Sequence, residues 1–174
     1  MQQVAERKSS PVSEATFADL LRPLIEPGFR LALAMLHDSQ AAEDAVQEAS
    51  FTAWRKLGRI HDRGRLRPWF LGVVANKCRN ARRSKWSSAV NIGLPEEISV
   101  VSAEEPTLRG ADLRRAVARL RHDDRLVVVL YFYLDLSLDE VASAVGSSVS
   151  ATRARLYRSI KRLRPDLDVE EALR

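Results

Sequence analysis

The sequence predicts an all-α protein, made of two small helical domains that are joined by a flexible acidic linker. Apolar residues recur at spacings of three and four along most of the chain, and no stretch shows the alternating pattern of a strand. Capping residues, Ser or Asp, stand before several of these apolar runs. Between the two helical halves, segment 87–108 contains two prolines and no sustained helical period, which favours a linker.

Composition narrows the class of protein further. The chain has 174 residues and a net charge of +5, which favours an acidic partner such as nucleic acid or anionic lipid. Its only cysteine, Cys78, cannot form an internal disulfide, and this suits a reducing compartment. The N-terminal residues have no apolar signal core, and no apolar run reaches the roughly 18 residues of a membrane-spanning helix. We therefore expect a cytoplasmic protein that does not insert into a membrane.

The positive charge is concentrated in two patches. Residues 55–86 hold 11 basic side chains and one acidic side chain. Residues 153–164 hold six basic side chains, and the linker 87–108 between the patches holds four glutamates and no basic residue. Two separated basic patches indicate two surfaces for an anionic partner.

The first domain is predicted over residues 13–86. Ser13 can cap its first helix, in which Pro23 and Pro27 predict a kink or a break. A second helix is expected over 40–57 after Asp38 or Ser39, followed by a loop over 58–66. A third helix is expected over 68–85, with Pro68 in its first turn.

The second domain is predicted over residues 109–174, with helices over 109–121, 123–133, 138–145 and 149–164. Ser137 and Glu140 form a capping-box pattern, Gly146 suits a left-handed helix end, and Ser148 can cap the next helix. A short helix, a turn with glycine and a longer basic helix are typical of a helix-turn-helix. The last helix is expected to bury Val149, Leu156 and Ile160 with Thr152 between them, and to expose Ser150, Arg153, Arg155, Arg158, Lys161 and Arg162. The plainer alternative is a solvated basic helix in a bundle.

The helix over 42–57 has an acidic face. Its apolar stripe comprises Ala42, Ala45, Val46, Ala49, Ala53, Trp54 and Leu57. Helical spacing places Asp44, Gln47, Glu48 and Phe51 together on another face. Such a face could bind a basic partner, and ordinary solvation is the alternative.

The stretch "RPWFLGVVANKCRNARRSKW" at 67–86 could lie on a membrane, on a protein or on a nucleic acid. Phe70, Leu71, Val74, Cys78 and Ala81 are expected to face inward, and Gly72 indicates close packing. The outward stripe consists of Asn76, Arg79, Asn80 and Arg83, whose amides and guanidiniums can bond base edges as well as phosphates. This favours nucleic acid. Trp69 can serve either as a core residue or as a stacking platform.

Catalytic signatures do not stand out. The sequence has no nucleotide-binding glycine loop, no metal-ligand cluster and no catalytic triad, and its three histidines are scattered. We therefore expect a protein that is not an enzyme and needs no cofactor or metal. Cys78 is expected to be an inert core thiol.

Three motifs occur in this order along the chain: "AEDAVQEA…AW", "RPWFLGVVANKCRN..R" and "LSLDEVASAVG…RARLYRSIKRLR". With them the chain resembles the bacterial RNA polymerase sigma factors of the sigma-70 family, extracytoplasmic-function (ECF, group IV) class. The resemblance covers about residues 17–164. It implies that 13–86 is region 2, 87–108 the interregion linker and 109–174 region 4. It also implies a sigma factor that binds core polymerase, directs it to promoters and melts the minus-ten element.

The resemblance also implies roles for particular residues. Asp44, Gln47, Glu48 and Phe51 would bind the clamp helices of the largest polymerase subunit. The minus-ten element would be read and melted by Arg63, Arg65, Asn76, Arg79, Asn80 and Arg83, with one base flipped into a pocket of the 58–66 loop. The minus-thirty-five element would be read by Ser150, Arg153, Arg155, Arg158 and Lys161. Region 4 would also touch the polymerase flap, and an anti-sigma factor is an expected partner.

The sequence departs from the family pattern in two places. Ser50 stands where an apolar aromatic is common, and "SVSATRAR" replaces the usual start of the recognition helix, so that Thr152 falls where valine usually packs. Two other functions remain open. A conventional helix-turn-helix repressor or activator would account for 137–164 alone, and a helical protein-interaction module would leave the basic helix without a role.

Overall fold

The computed structural model describes residues 14–56, 62–92 and 108–163, and all regular structure within these ranges is helical. The N-terminal unit contains α1 (Glu14–Leu36), α2 (Ser39–Lys56) and α3 (Leu66–Ile92). The C-terminal unit contains α4 (Leu108–Ala118), α5 (His122–Val128), α6 (Leu138–Val145) and α7 (Val149–Leu163). The predicted all-α class is therefore confirmed.

The N-terminal unit is a three-helix bundle with a closely packed apolar interior. Alanines on the inner face of α2 let α1 and α3 approach it closely. The Oδ1 atom of Asp38 accepts a hydrogen bond from the backbone N–H of Ala41 at 3.0 Å and so caps α2. Burying each large apolar side chain contributes about 1.5–3 kcal/mol. The fully buried residues of the bundle include Leu31, Ala32, Ala42, Ala49, Ala53, Pro68, Phe70, Leu71, Val74 and Cys78.

Helix α1 corrects one prediction. The sequence predicts a kink or a break at Pro23 and Pro27, and the break does not occur, since a single helix runs through both prolines. Each proline removes one backbone hydrogen bond, at a cost of about 3 kcal/mol in a helix interior. Burial of Leu21, Leu24 and Leu31 along the same helix offsets this cost, because these side chains pack against the core on both sides of the prolines.

Helix α3 is longer than predicted at both ends. It begins at Leu66, which keeps Pro68 in the first turn as predicted, and it continues to Ile92 instead of ending at 85. The predicted linker therefore begins with helix, and its remainder, 93–107, lies outside the described residues. The extension has a simple cause, since neither proline nor glycine occurs between Pro68 and Gly93 except Gly72.

The C-terminal unit also differs from the prediction in detail. Helix α4 ends at Ala118 rather than at 121. The single helix predicted over 123–133 is instead α5 followed by a π-helical segment, Val129–Tyr133. In this segment the N–H of Leu134 bonds the carbonyl of Val129 at 3.0 Å, which is the five-residue spacing of a π turn.

The helix-turn-helix forms as predicted. Ser137 and Glu140 make both bonds of the capping box, and Gly146 adopts a left-handed φ of 66° at the end of α6. Ser148 caps α7 by accepting from the N–H of Ala151 at 3.2 Å. One detail was wrong: Val149 is exposed, because the buried stripe of α7 begins one turn later, at Thr152.

The two units pack against each other, with α3 lying along α6. Gly72 makes this contact close: a Cβ atom at this position would lie 2.5 Å from the carbonyl oxygen of Ala144. The Arg67 guanidinium of the N-terminal unit also donates to the carbonyl of Leu134. Buried residues from both units form one continuous apolar cluster. The close packing predicted at Gly72 is thus a contact between the two units.

Candidate nucleic-acid and protein interfaces

The predicted protein-binding face lies exposed on α2. Asp44, Gln47, Glu48 and Phe51 are all exposed, and Phe51 keeps 66% of its surface accessible. Within this face, Glu48 forms a surface ion pair, in which its Oε2 accepts a hydrogen bond from Lys77 Nζ at 3.0 Å. A large exposed aromatic side chain is a common feature of a protein-binding surface.

Trp54 differs from its predicted place in the apolar stripe of this helix. It is 46% exposed and packs edge-to-face on Phe17, with ring centroids 4.9 Å apart. Its size prevents it from entering the gap that the alanines of α2 leave between the helices. Leu57, the other end of the predicted stripe, lies outside the described residues.

Arg63 and Arg65 lie in a single 3₁₀ turn that leads into α3. Asp62 fixes this turn, because its Oδ1 accepts from the N–H of Gly64 at 2.9 Å and its Oδ2 lies 3.5 Å from Arg65 Nε. Both arginines are exposed, so that an anion can reach them. The part of the predicted base-binding loop before Asp62 lies outside the described residues.

The outward stripe of α3 is only partly open. Asn76, Asn80 and Arg83 are exposed, whereas Arg79 is partly buried. Its guanidinium donates to Oδ1 of Asn76 at 2.9 Å and to Oδ1 of Asp123 at 3.4 Å. One residue of the stripe predicted to bind nucleic acid, Arg79, therefore contacts the C-terminal unit.

Trp69 lies two helical turns before Asn76 on α3, is partly buried and packs against the apolar cluster. This contact agrees with a role for Trp69 as a core residue rather than as a stacking platform. Ala81 is also partly buried, as expected for the end of the inward stripe.

On α7, the structure divides the predicted set in two. Ser150, Arg153, Arg158 and Lys161 are exposed. Arg155 is partly buried, and its Nη1 lies 3.6 Å from Oδ2 of Asp123. Four members of the set therefore face solvent, and one faces α5.

Tyr157 was missed by the sequence reasoning. It is 39% exposed and lies one helical turn from both Arg153 and Lys161. The spacing of the sequence could have revealed Tyr157, since residues four positions apart lie on the same face of a helix. The exposed side of α7 therefore combines basic residues with an aromatic ring that can pack on a sugar or a base.

Asp123 was also missed, and it joins the two basic patches. Besides Arg79 and Arg155, its carboxylate lies 3.4 Å from Nδ1 of His122. Burial raises the pKa of Asp123, but the hydrogen bond from His122 and the charges of both arginines outweigh it, so that the pKa lies below its usual value. Sequence spacing could not reveal this cluster, because Arg79 and Asp123 are 44 residues apart.

Besides Asp123, two groups have altered pKa values, Cys78 and His122. Burial of Cys78 raises its pKa to about 12, so its thiol stays protonated and inert, in agreement with the predicted core role. Burial lowers the pKa of His122, and the charges of Arg79 and Arg82 add to this effect against the hydrogen bond and charge of Asp123. Within the described residues, no three His, Cys, Asp or Glu side chains are placed to hold a metal ion.

Two family descriptions match the chain in order. Sigma-70 region 2 matches residues 19–88, and sigma-70 region 4 matches residues 111–163. The chain belongs to the sigma-70 family of RNA polymerase sigma factors, in its extracytoplasmic-function class. Members of this family are transcription initiation factors. Region 2 of this sigma factor thus carries the acidic face and the α3 stripe, and region 4 carries α7.

Curated relatives and a solved structure agree with this assignment. The sigma factor is 28% identical to the ECF RNA polymerase sigma factor SigD of Mycobacterium tuberculosis, over 93% of this chain and 84% of that protein. It is 29% identical to the probable RNA polymerase sigma factor RfaY of Xanthomonas campestris over 79% of its own length, which spans only 36% of that relative. Its fold resembles the sigma factor RpoE of Bartonella quintana, solved with the anti-sigma factor NepR, with a TM-score of 0.74 at 21% identity over 86% of this chain and 94% of that chain.

No helix in the described part of the sigma factor is both long and apolar enough to cross a membrane.

Proposed function

We propose that this sigma factor binds core RNA polymerase, directs it to specific promoters and opens the minus-ten element. The observation that carries the proposal is the presence of both region 2 and region 4 in one chain, in that order. We assign residues 13–86 to polymerase binding and minus-ten recognition, and 109–174 to minus-thirty-five recognition. The segment 87–108 connects them, and its four glutamates suit a strand that lies in a positively charged channel.

The acidic face of α2 is proposed to bind the clamp helices of the largest polymerase subunit. Asp44, Gln47, Glu48 and Phe51 suit this role because they are exposed together, while the buried alanines of the same helix fix its orientation. Carboxylates on the rim would steer association with a basic helix, and the Phe51 ring would supply apolar contact.

Promoter opening is proposed to use binding alone, without catalysis or a cofactor. Flipping a base out of the stack costs a few kcal/mol. Phosphate neutralisation and contacts to the extruded base can offset this cost. The residues proposed to make these contacts are Arg63, Arg65, Asn76, Arg79, Asn80 and Arg83.

Region 4 is proposed to read the minus-thirty-five element through α7 and to touch the polymerase flap. The N-terminal part of a recognition helix contacts base edges, and its later residues contact phosphates. Ser150 and Arg153 therefore suit base contacts, whereas Arg158 and Lys161 suit phosphates. Arg155 can join either group once it leaves Asp123.

An anti-sigma factor is a further proposed partner, and the cytoplasm is the proposed location. Support for the partner comes from the fold likeness to RpoE, which was solved as a complex with NepR. Transcription by core polymerase takes place in the bacterial cytoplasm, where Cys78 would remain reduced.

The decisive experiment adds the purified chain to core RNA polymerase and measures run-off transcription from a promoter library. Promoter-specific transcripts are expected. DNA binding with no promoter-specific transcript would indicate the helix-turn-helix repressor or activator instead. Loss of both transcription and DNA binding would indicate the protein-interaction module.

A charge reversal tests the polymerase-binding face. Asp44→Arg should weaken binding to core polymerase at least tenfold, because it places a cation opposite a basic partner. Asp19→Arg makes the same change at an exposed position of α1 and should leave binding unchanged. Equal affinities for wild type and Asp44→Arg would remove the assignment of this face.

A further inference from the structure

We propose that Val149, the first residue of α7, reads a thymine of the minus-thirty-five element through the methyl group of that base. The proposal rests on the proposed function, which places α7 in the major groove. It adds an apolar contact to the polar and charged contacts of Ser150 and Arg153. In the major groove, the C5-methyl group of thymine is the apolar feature that distinguishes one base pair from another.

Val149 is exposed although its side chain is apolar. It keeps 37% of its surface accessible, while Thr152, Leu156 and Ile160 form the buried stripe of the same helix. An apolar side chain that is left in water is stabilised when a partner covers it. The N-terminal residues of a recognition helix lie against base edges in the major groove, so DNA would cover Val149.

The first turn of α7 holds Val149 in a fixed place. The Oγ atom of Ser148 accepts from the N–H of Ala151 at 3.2 Å, and the carbonyl of Ser148 accepts from the N–H of Thr152 at 2.9 Å. The hydroxyls of Ser148 and Ser150 lie 3.2 Å apart, within hydrogen-bond distance. Valine is β-branched and strongly prefers one rotamer in a helix. Both methyl groups of Val149 are therefore in place before DNA binds.

The charges of α7 favour DNA over another protein as the partner that covers Val149. The helix contains five cationic residues and no acidic residue. One of them, Arg153, is exposed one turn further along the same face as Val149. The other exposed residues of the first turn, Ser150 and Ala151, are small, so Val149 is not part of a large apolar patch. A single apolar contact beside cations suits one methyl group in an anionic groove.

The spacing between Val149 and Arg153 predicts where the thymine lies. Four residues of an α-helix advance about 6 Å along its axis. Successive base pairs of DNA are about 3.4 Å apart. The thymine should therefore lie within about two base pairs of the base that Arg153 reads.

Deoxyuridine tests the contact at the level of one methyl group, because it differs from thymidine only by lacking that group. The probe is the best-transcribed promoter of the run-off library, with each thymine of its minus-thirty-five element, on either strand, replaced singly by deoxyuridine. The affinity for each duplex is measured with the full-length chain in complex with core polymerase. At one position, wild type should bind the deoxyuridine duplex about three- to fivefold more weakly, the factor that corresponds to exposing one methyl group to water.

Val149→Ala removes the protein side of the same contact. It should bind the unmodified promoter more weakly by a similar factor, and it should no longer distinguish thymine from deoxyuridine at the sensitive position. Its control is Leu113→Ala, which shortens another exposed aliphatic side chain of region 4, on α4. Leu113→Ala should keep the wild-type ratio of affinities. Circular dichroism verifies that each variant is folded.

A second modified base tests the contact without any variant of the protein. Duplexes that carry cytosine or 5-methylcytosine at the sensitive position differ by the same methyl group, in the same place in the groove. Wild type should bind the 5-methylcytosine duplex about three- to fivefold more tightly than the cytosine duplex. Equal affinities for these two duplexes would overturn the contact.

Failure of the inference can be told apart from failure of the proposed function. Promoter-specific transcription by a wild-type chain that is insensitive to every deoxyuridine substitution would overturn the inference alone. An equal loss on deoxyuridine in wild type and Val149→Ala would also overturn it, since another residue would then contact the methyl group. Failure of the proposed function would appear earlier, as the absence of any promoter-specific transcript, and the inference would be overturned with it.

Discussion

The Arg125 guanidinium of α5 lies 2.8 Å from Nε2 of His37, at the turn between α1 and α2. It also donates to the backbone carbonyls of Met35 at 3.4 Å and Leu120 at 3.2 Å, and to that of Ala118. An arginine has no acceptor, so Nε2 of His37 must accept, which requires the neutral imidazole with its proton on Nδ1. One buried side chain therefore connects the end of α1 in region 2 with the end of α4 in region 4.

Arg125→Lys should destabilise the protein by about 2–3 kcal/mol. Lysine keeps the charge but lacks the planar fork, so buried carbonyls at the end of α4 lose their donors. Urea denaturation followed by circular dichroism measures the loss. Arg119→Lys, at an exposed position close to the same helix end, should change the free energy of unfolding by less than about 0.5 kcal/mol. Equal stabilities for Arg125→Lys and wild type would show that the buried fork is not needed.

Thr152→Val should stabilise the protein by about 1 kcal/mol. The Oγ1 atom of Thr152 is buried and has no hydrogen-bond partner among the described residues, so its desolvation is uncompensated. Valine has nearly the same shape and a similar helix propensity. Thr52→Val is the matched control, because that hydroxyl donates to the carbonyl of Glu48 at 3.0 Å, and no gain is expected there. A lower urea midpoint for Thr152→Val would contradict this reading of the site.

Stability should fall as the pH drops below about 6.5. Burial holds the pKa of His122 below its ordinary value of 6.5, and Arg79 and Arg82 add to this, against the opposing effect of Asp123. Because the unfolded chain takes up a proton at a higher pH than the folded chain, the stabilisation is complete above 6.5 and is lost as the pH falls through the lowered pKa. Asp123 remains ionised throughout this window, since its pKa lies below 3.8.

Denaturation at a series of pH values between 5 and 8 measures this dependence, and His122→Gln should make it shallower. If the free energy of unfolding of His122→Gln depends on pH as steeply as that of wild type, another group is responsible for the dependence.

The sequence predicts local structure well where one residue type determines the backbone. The capping box at Ser137, the left-handed Gly146 and the cap at Ser148 all form, because each depends only on neighbours within a helical turn. The inward stripe of α3 forms for the same reason, since helical spacing alone selects Phe70, Leu71, Val74 and Cys78.

Predictions failed where distant packing decides. Proline chemistry alone predicts a kink or a break in α1, and burial against α2 and α3 explains why the helix is not broken. Arg155 follows the same rule: spacing places it on an outer face of α7, but Asp123 on α5 makes that face partly internal. Asp123 and Arg125 were invisible as site residues because their partners are distant in sequence, including Arg79, Met35 and His37.

The roles of Arg153 and Arg155 can be separated by sequence preference. Arg153 is exposed near the start of α7, where a recognition helix reads base edges. Arg153→Ala should cost about 1–3 kcal/mol on the preferred promoter and much less on promoters altered at the base that it reads. Arg155→Ala serves as the comparison, because it removes an arginine of the same helix that is paired with Asp123.

Transcription from a promoter library with each variant, in the presence of core polymerase, measures both effects. With Arg153→Ala, the preference for one base over the others should become weaker at a single promoter position. A uniform loss across all promoters would instead identify Arg153 as a phosphate contact, because phosphates are the same at every base pair. In that case base reading by α7 would come from Arg155 or from Ser150 and Tyr157, the polar side chains that share the exposed face of Arg153.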